Sequence, residues 1–161
     1  MKDEKRIRID LAAQKLYLYQ AQGLVASYLV STSRDGAGEE MGSGCTPRGL
    51  HRIRIMIGAG EPENSVFVAR RPTGEVYNAE LGRKYPERDW ILTRILWLTG
   101  LEQGCNRGGN NDTLRRFIYI HGCPDSEPMG IPLSHGCIRM HNYDLLDLFQ
   151  RVDRATIIDI V

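Results

Sequence analysis

The sequence predicts a mainly β domain with few helices, and three observations support this. Short runs in which apolar and polar residues alternate recur along the chain, and alternation is the period of a half-buried strand. The clearest runs cover residues 7–11, 15–19 and 51–57. Gly, Pro and Asn separate such runs, and a single segment shows a clear helical spacing of apolar residues. The 161 residues contain no linker-like stretch, so we expect one domain over 1–161.

The N-terminal part of the chain predicts a β-meander followed by a loop. Residues 12–14 separate the first two runs as a turn, and the apolar, β-branched run 24–31 supplies a third strand. Gly residues then punctuate 34–49. Neither nucleotide-binding glycine pattern is present there, so we expect a loop between strands, with a lid over a substrate as the alternative.

The remaining elements are shorter. We expect strands at 66–69, 76–78 and 156–161. Residues 90–98 fit either a buried helix, from their apolar content, or a strand, from their β-branched residues. The apolar run 117–120 predicts a strand that ends at a histidine.

One helix is clear near the C-terminus. Leu145, Leu148, Phe149 and Val152 repeat at helical spacing. Asn142 stands where a helix-capping side chain is expected.

Composition excludes several classes of function. The chain carries 21 Lys and Arg against 20 Asp and Glu, so a basic surface for nucleic acid is not expected. No run approaches the ~18 apolar residues of a membrane span. No signal-like apolar run follows Met1. We therefore expect a cytoplasmic protein if Met1 is the natural start, and a periplasmic one if a leader has been removed. The four cysteines are expected to be reduced thiols.

Cys137 and His121 are the candidate catalytic pair. His121 ends an apolar strand, and Cys137 follows sixteen residues later, in Ser134-His135-Gly136-Cys137. A thiol is mostly protonated at neutral pH, so a nearby imidazole is needed to take its proton. Backbone N–H groups near Gly136 and Cys137 are candidates for an oxyanion site. Arg139 shares the side of Cys137 if that stretch is extended, and it is a candidate ligand for a substrate carboxylate.

Two other interpretations stay open on the residues alone. A free cysteine is often a small buried apolar residue, and a histidine at a strand end is often structural. The tripeptide His-Gly-Cys also occurs twice, at 121–123 and 135–137. Two His and two Cys make a possible zinc set, which would indicate a zinc-stapled binding module without catalysis. The His-x-Cys spacing is unusual for such a site.

These residues resemble the signature of L,D-transpeptidases of the YkuD type. The core of the resemblance is His121-Gly122, a loop, and then residues 134–140, Ser-His-Gly-Cys-Ile-Arg-Met. Residues 9–17 resemble the opening hairpin of the family, 30–33 the strand before its loop, and 46–49 its Thr-Pro-x-Gly turn. The resemblance covers nearly the whole chain.

The resemblance implies a β-sandwich-like catalytic domain that acts on peptidoglycan stem peptides without a metal or other cofactor. It implies that Cys137 attacks the third stem residue, that D-alanine leaves, and that a thioester forms. His121 is then the base, the Gly122 carbonyl orients its imidazole, and Arg139 contacts a substrate carboxylate. The residues that line the site are Ser134, His135 and Gly136.

The resemblance also bears on the acceptor and on inhibitors. Because no leader is visible, we expect water as the acceptor, which gives an L,D-carboxypeptidase of peptidoglycan recycling. An L,D-transpeptidase that forms cross-links or exchanges D-amino acids is the alternative. Carbapenem-type β-lactams are expected to acylate the thiol. Cys123 departs from the family pattern, which usually has Thr there.

Overall fold

The computed structural model describes residues 4–21 and 23–161, which form one mixed sheet and two α-helices. The strands are β1 (Lys5–Asp10), β2 (Lys15–Gln20), β3 (Gly23–Leu29), β4 (Gly49–Ile57), β5 (Ser65–Val68), β6 (Arg71–Val76), β7 (Ile91–Gly100), β8 (Tyr119–Gly122), β9 (Ile138–Met140) and β10 (Ile157–Ile160). The helices are α1 (Ala79–Lys84), α2 (Asn142–Arg151) and a 3-10 turn, Gly109–Asn111. The prediction of a mainly β domain with few helices is confirmed.

The sheet curls around its core. Its strands run in the order β3-β2-β1-β10-β4-β7-β5-β6, and β7 also pairs with β8, which in turn pairs with β9. The pairs β1–β10 and β8–β9 are parallel, and the other pairs are antiparallel. An isolated pairing of Ser31 with Arg139 joins the segment after β3 to β9. The expected sandwich-like arrangement is therefore formed by a single sheet that folds back on itself.

The core collects the apolar side of the alternating strands. Ile7 and Ile9 of β1 and Leu16 and Leu18 of β2 are almost fully buried, whereas their neighbours in sequence face outward. Helix α2 covers this core with its apolar stripe. Each fully buried side chain of this size contributes roughly 1.5–3 kcal/mol, which favours this register over a one-residue slip.

Several local predictions need correction. The sequence leaves residues 90–98 open between helix and strand, and 91–98 lie in strand β7, which pairs with strands on both edges. Strand β6 ends at Val76, and Asn78 instead accepts a hydrogen bond from the Leu81 N–H at the start of α1, a helix that the sequence did not suggest. Helix α2 begins as predicted, but His141 is the N-cap residue, and the side chain of Asn142 makes no capping bond.

Within the described ranges, no helix is long and apolar enough to cross a membrane.

His51 on β4 is a structural histidine. Its side chain is fully buried, with Nδ1 2.9 Å from the Gly49 carbonyl oxygen and Nε2 2.9 Å from the Thr113 hydroxyl. Burial lowers the pKa of the imidazole to about 4, because the charged form loses its hydration.

The burial of neutral His51 predicts that the free energy of unfolding decreases in mild acid. An unfolded histidine has a pKa of about 6.5, so between that pH and about 4 the unfolded chain binds the extra proton. We expect His51 to remove about 2 kcal/mol from the free energy of unfolding between pH 7 and pH 5. Urea unfolding at both pH values measures this. A His51→Gln variant that folds and shows the same pH dependence as the unaltered chain would contradict the assignment.

Candidate active site

Strands β8 and β9 place Cys137 beside the main chain of β8. Their parallel register pairs Ile120 with Ile138 and His121 with Arg139, so Cys137 lies next to Tyr119. The Tyr119 N–H donates to Cys137 Sγ at 3.3 Å, and the thiol donates to the Phe117 carbonyl at 3.3 Å. The sulfur therefore has a backbone donor that favours the thiolate, and a backbone acceptor that holds the proton of the thiol.

A network of hydroxyl groups fixes the turn before the nucleophile. The Ser134 hydroxyl donates to the Cys137 carbonyl at 2.6 Å and accepts the Gly136 N–H at 3.2 Å. Thr46 donates from its hydroxyl to the Gly136 carbonyl at 2.9 Å and accepts the Ser33 N–H at 3.0 Å. Both carbonyls that flank the nucleophile are thus held, and the Gly136 N–H is already used within the turn.

Gly136 is required by the backbone conformation. Its φ is +130°, a region that side-chain-bearing residues rarely adopt. A Cβ atom there would also lie 3.3 Å from the Cys45 carbonyl oxygen of the Gly-rich loop. The loop therefore packs directly on the turn that carries the thiol.

His121 is buried on β8 and oriented by its own chain. Its Nδ1 lies 2.6 Å from the Gly122 carbonyl oxygen. Because a carbonyl only accepts, Nδ1 carries the proton and Nε2 is left as the basic nitrogen. A Cβ on Gly122 would lie 2.6 Å from the Leu92 carbonyl oxygen, so only glycine fits between β7 and the base.

The side chain of Asn142 holds the segment that follows His121 by hydrogen bonds. Its amide nitrogen donates to the Cys123 carbonyl at 2.8 Å and to Asn64 Oδ1 at 3.0 Å. Its oxygen accepts the Thr93 hydroxyl at 2.7 Å. Thr93 is buried with a φ of +75°, a strained conformation for a β-branched residue. The side chain predicted to cap α2 therefore connects β7 to the end of β8.

Cys137 and His121 open into one small cavity of about 140 Å³, which Ser134, His135 and Arg139 also line. A second chamber of about 240 Å³ adjoins it, because His135, Arg139 and Asp89 line both. Strand β9 is extended as expected, and Arg139 does share the side of Cys137.

Arg139 lies between two acidic side chains. Its guanidinium nitrogens are 3.8 Å from Asp89 Oδ1 and 3.9 Å from Glu127 Oε2. These distances exceed those of direct hydrogen bonds, so the pairs are loose. The three charges together sum to −1. A substrate carboxylate at Arg139, as predicted, would therefore compete with the carboxylates of Asp89 and Glu127.

Burial keeps both members of the candidate pair neutral. Loss of hydration raises the pKa of Cys137 to about 12, against the opposing pull of the Tyr119 N–H and of Arg139. The same cause lowers the pKa of His121, against the Gly122 carbonyl and Asp89. Burial therefore favours a thiol on Cys137 beside a neutral imidazole on His121.

The zinc hypothesis requires the two His and two Cys side chains of the His-Gly-Cys segments to form one ligand set, and they do not. Cys123 is buried, and its thiol donates to the Met140 carbonyl at 3.5 Å. The thiol of Cys137 instead contacts the main chain of Tyr119 and Phe117. In the part of the chain that the structure describes, no three His, Cys, Asp or Glu side chains are grouped to hold a metal. All four cysteines are free.

The sequence predicted that the segments of His121 and Cys137 lie together, but it did not indicate several other residues that line or support the cavity. Asp89 and Arg116 line the cavity from parts of the chain that carried no motif. Thr46 stood in the Thr-Pro-x-Gly turn without an assigned role, and its burial and its bond to the Gly136 carbonyl are seen only in the structure. The backbone donors and acceptors of β8 leave no trace in side-chain patterns.

The thiol of Cys137 and the oriented imidazole of His121, which line one cavity in a curled β sheet, are the groups that a cysteine-dependent enzyme needs. Comparison with family models then identifies the family: residues 4–160 match the L,D-transpeptidase catalytic domain, YkuD. The chain belongs to this family.

Solved structures show the same fold. An L,D-transpeptidase from Mycobacterium smegmatis matches with a TM-score of 0.58 at 15% identity, over 99% of this chain and 59% of that one. L,D-transpeptidase 3 from Mycobacterium tuberculosis matches with 0.60 at 13% identity, over 99% and 61%. One from Xylanimonas cellulosilytica matches with 0.57 at 18% identity, over 100% and 62%.

The chain thus spans about three fifths of the length of these structures. No curated protein matches it.

The hydroxyl of Thr46 predicts a measurable role in positioning the nucleophile. A Thr46→Val change leaves the buried Gly136 carbonyl without its donor, at a cost of about 1–3 kcal/mol. We expect the rate of Cys137 acylation to fall at least about tenfold, because misplacement of the reacting group is costly. Stopped-flow acylation measures it, and Thr46→Ser, which keeps the hydroxyl, is the control. Equal rates for the Val and Ser variants would contradict this role.

Proposed function

We propose that this enzyme transfers the acyl group of peptidoglycan tetrapeptide stems from their terminal L,D bond to water, as an L,D-carboxypeptidase. The observation that carries the proposal is the shared cavity of Cys137 and His121, with the imidazole held in the Nδ1–H tautomer. Membership of the L,D-transpeptidase family supports the substrate class.

In the first half-reaction Cys137 attacks the carbonyl of the third stem residue. The thiol leaves its contact with the Phe117 carbonyl and gives its proton to Nε2 of His121 as the C–S bond forms. The Tyr119 N–H stabilises charge on the sulfur. Because the Ser134 hydroxyl occupies the Gly136 N–H, the Cys137 N–H is the candidate oxyanion donor on this turn. The imidazolium then protonates the departing amine, the C–N bond breaks, and D-alanine leaves.

In the second half-reaction water attacks the thioester. Neutral His121 takes a proton from the water as the C–O bond forms, and the C–S bond breaks. That proton returns to the sulfur, which restores the thiol. The products are the tripeptide stem with a free carboxylate and D-alanine, and no redox partner or metal is needed for the balance.

The cavity at the thiol has room for water as the acceptor. Its volume is about 140 Å³, whereas one water molecule occupies about 30 Å³ in the liquid.

An amine acceptor is the alternative, and one observation favours it. The adjoining chamber of about 240 Å³ is lined by Asp89 and Glu127, whose side chains are 58% and 42% exposed. Two accessible carboxylates attract an ammonium group. If an amine from that side displaces the thioester, the enzyme is an L,D-transpeptidase that forms cross-links or exchanges D-amino acids.

Carbapenem-type β-lactams fit the same mechanism as covalent inhibitors. The L,D-transpeptidase LdtMt1 has been solved in complex with imipenem, a carbapenem. Attack of Cys137 on a lactam carbonyl would open the ring and leave a thioester.

Mass spectrometry of a tetrapeptide stem incubated with the enzyme tests the proposal. We expect loss of D-alanine with a free tripeptide as product, and no product with Cys137→Ala, because the C–S bond cannot form. A Cys123→Thr variant is the matched control, since its thiol lies outside the reaction, and it should retain turnover. Turnover by Cys137→Ala would overturn the mechanism, whereas dimers or exchanged D-amino acids would establish the amine acceptor.

The neutral thiol–imidazole pair predicts a particular pH profile. Burial lowers the pKa of His121, so the acid limb of kcat/KM, where the base becomes protonated, should lie below pH 6.5. Burial raises the pKa of Cys137 to about 12, so no alkaline decline is expected up to pH 9. Steady-state rates between pH 5 and pH 9 check both limbs. An alkaline decline below pH 9, where an imidazolium beside a thiolate would lose its proton, would indicate an ion pair instead.

A further inference from the structure

Arg116 is the second guanidinium group in the cavity of Cys137, and no motif pointed to it. It donates to the Gly38 carbonyl at 3.1 Å, the Ser43 hydroxyl at 3.3 Å and the Cys45 carbonyl at 2.6 Å. These contacts attach the Gly-rich loop to the wall of the cavity. The expected loop is therefore held in place beside the nucleophile.

All three of these partners are neutral. A guanidinium group has five N–H donors, so two remain after these contacts. The acidic residue that acts on Arg116 is Glu39, and Glu39 is itself paired with Arg48 at 2.8 Å. In the residues that the structure describes, Arg116 makes no ion pair within 4.0 Å.

The two arginines of the cavity thus differ in charge balance. Arg139 is surrounded by Asp89 and Glu127 at 3.8 and 3.9 Å, so its end of the cavity is net negative. Arg116 keeps its positive charge in a half-buried position, where burial itself lowers the pKa of the guanidinium. An anion placed against Arg116 would relieve that cost, whereas one at Arg139 would meet two carboxylates.

We propose that Arg116 binds the free carboxylate of the C-terminal residue of the substrate, the residue that leaves when Cys137 is acylated. The inference rests on the proposed function and adds the feature by which the enzyme selects a free peptide end. The thiol lies in the same cavity as Arg116, so a carboxylate held there keeps the terminal peptide bond at the sulfur. Arg139 and its acidic neighbours then take the diamino acid side of the scissile bond.

The test compares a tetrapeptide stem that has a free terminal carboxylate with the same peptide as its terminal amide. We expect the unaltered enzyme to favour the acid at least about tenfold in kcat/KM, since charge-assisted hydrogen bonds are about twice as strong as neutral ones. Arg116→Gln, which keeps N–H donors for the loop without the charge, should abolish this preference by lowering the acid rate alone. Arg116→Lys should restore part of it.

Arg115→Met is the matched control, because Arg115 is exposed and precedes Arg116 in sequence, and it should keep the full preference. A purely structural role of Arg116 predicts equal losses for acid and amide in Arg116→Gln, and that result would overturn the inference. Equal rates for acid and amide with the unaltered enzyme would also overturn it, while leaving the proposed function intact. Release of the terminal residue from neither peptide would overturn the proposed function as well.

Discussion

The parallel pairing of β8 with β9 is the constraint on which the site depends. It sets Arg139 opposite His121 and brings Cys137, the residue just before β9, to the main chain of Tyr119. Two strands of three and four residues pair weakly alone, but β7 supports β8 and the Ser31 pairing supports β9. A one-residue shift would point the base and the thiol to opposite sides.

Burial explains both the stability of this arrangement and its chemistry. The site lies against the core, where charged forms lose hydration, so burial favours the neutral thiol and the neutral imidazole. Backbone groups orient both side chains: the Gly122 carbonyl selects the Nδ1–H tautomer of His121, and the Tyr119 N–H donates to Cys137 Sγ. The charged residues lie at the rim, where Arg116 and the group around Arg139 differ in sign.

Sequence patterns predicted the strands with clear alternation, because burial of one face is encoded at every second residue. They placed Cys137 and His121 together because Cys137 lies in a short motif and His121 follows an apolar strand. They failed where partners are remote in sequence: Asn142 caps nothing but holds the end of β8, and β7 was ambiguous because it is buried on both faces. Arg116 carried no motif, and only the folded chain shows that it lines the cavity without a carboxylate partner among the described residues.

The central claim is that His121 waits as a neutral imidazole with its proton on Nδ1 and a free Nε2. Nitrogen-15 NMR of histidine-labelled enzyme at pH 7 measures this directly, with His121→Gln used to assign the signals. The account predicts one protonated nitrogen, Nδ1, and one unprotonated nitrogen, Nε2, in His121. Two protonated nitrogens, or a proton on Nε2 with Nδ1 free, would contradict it.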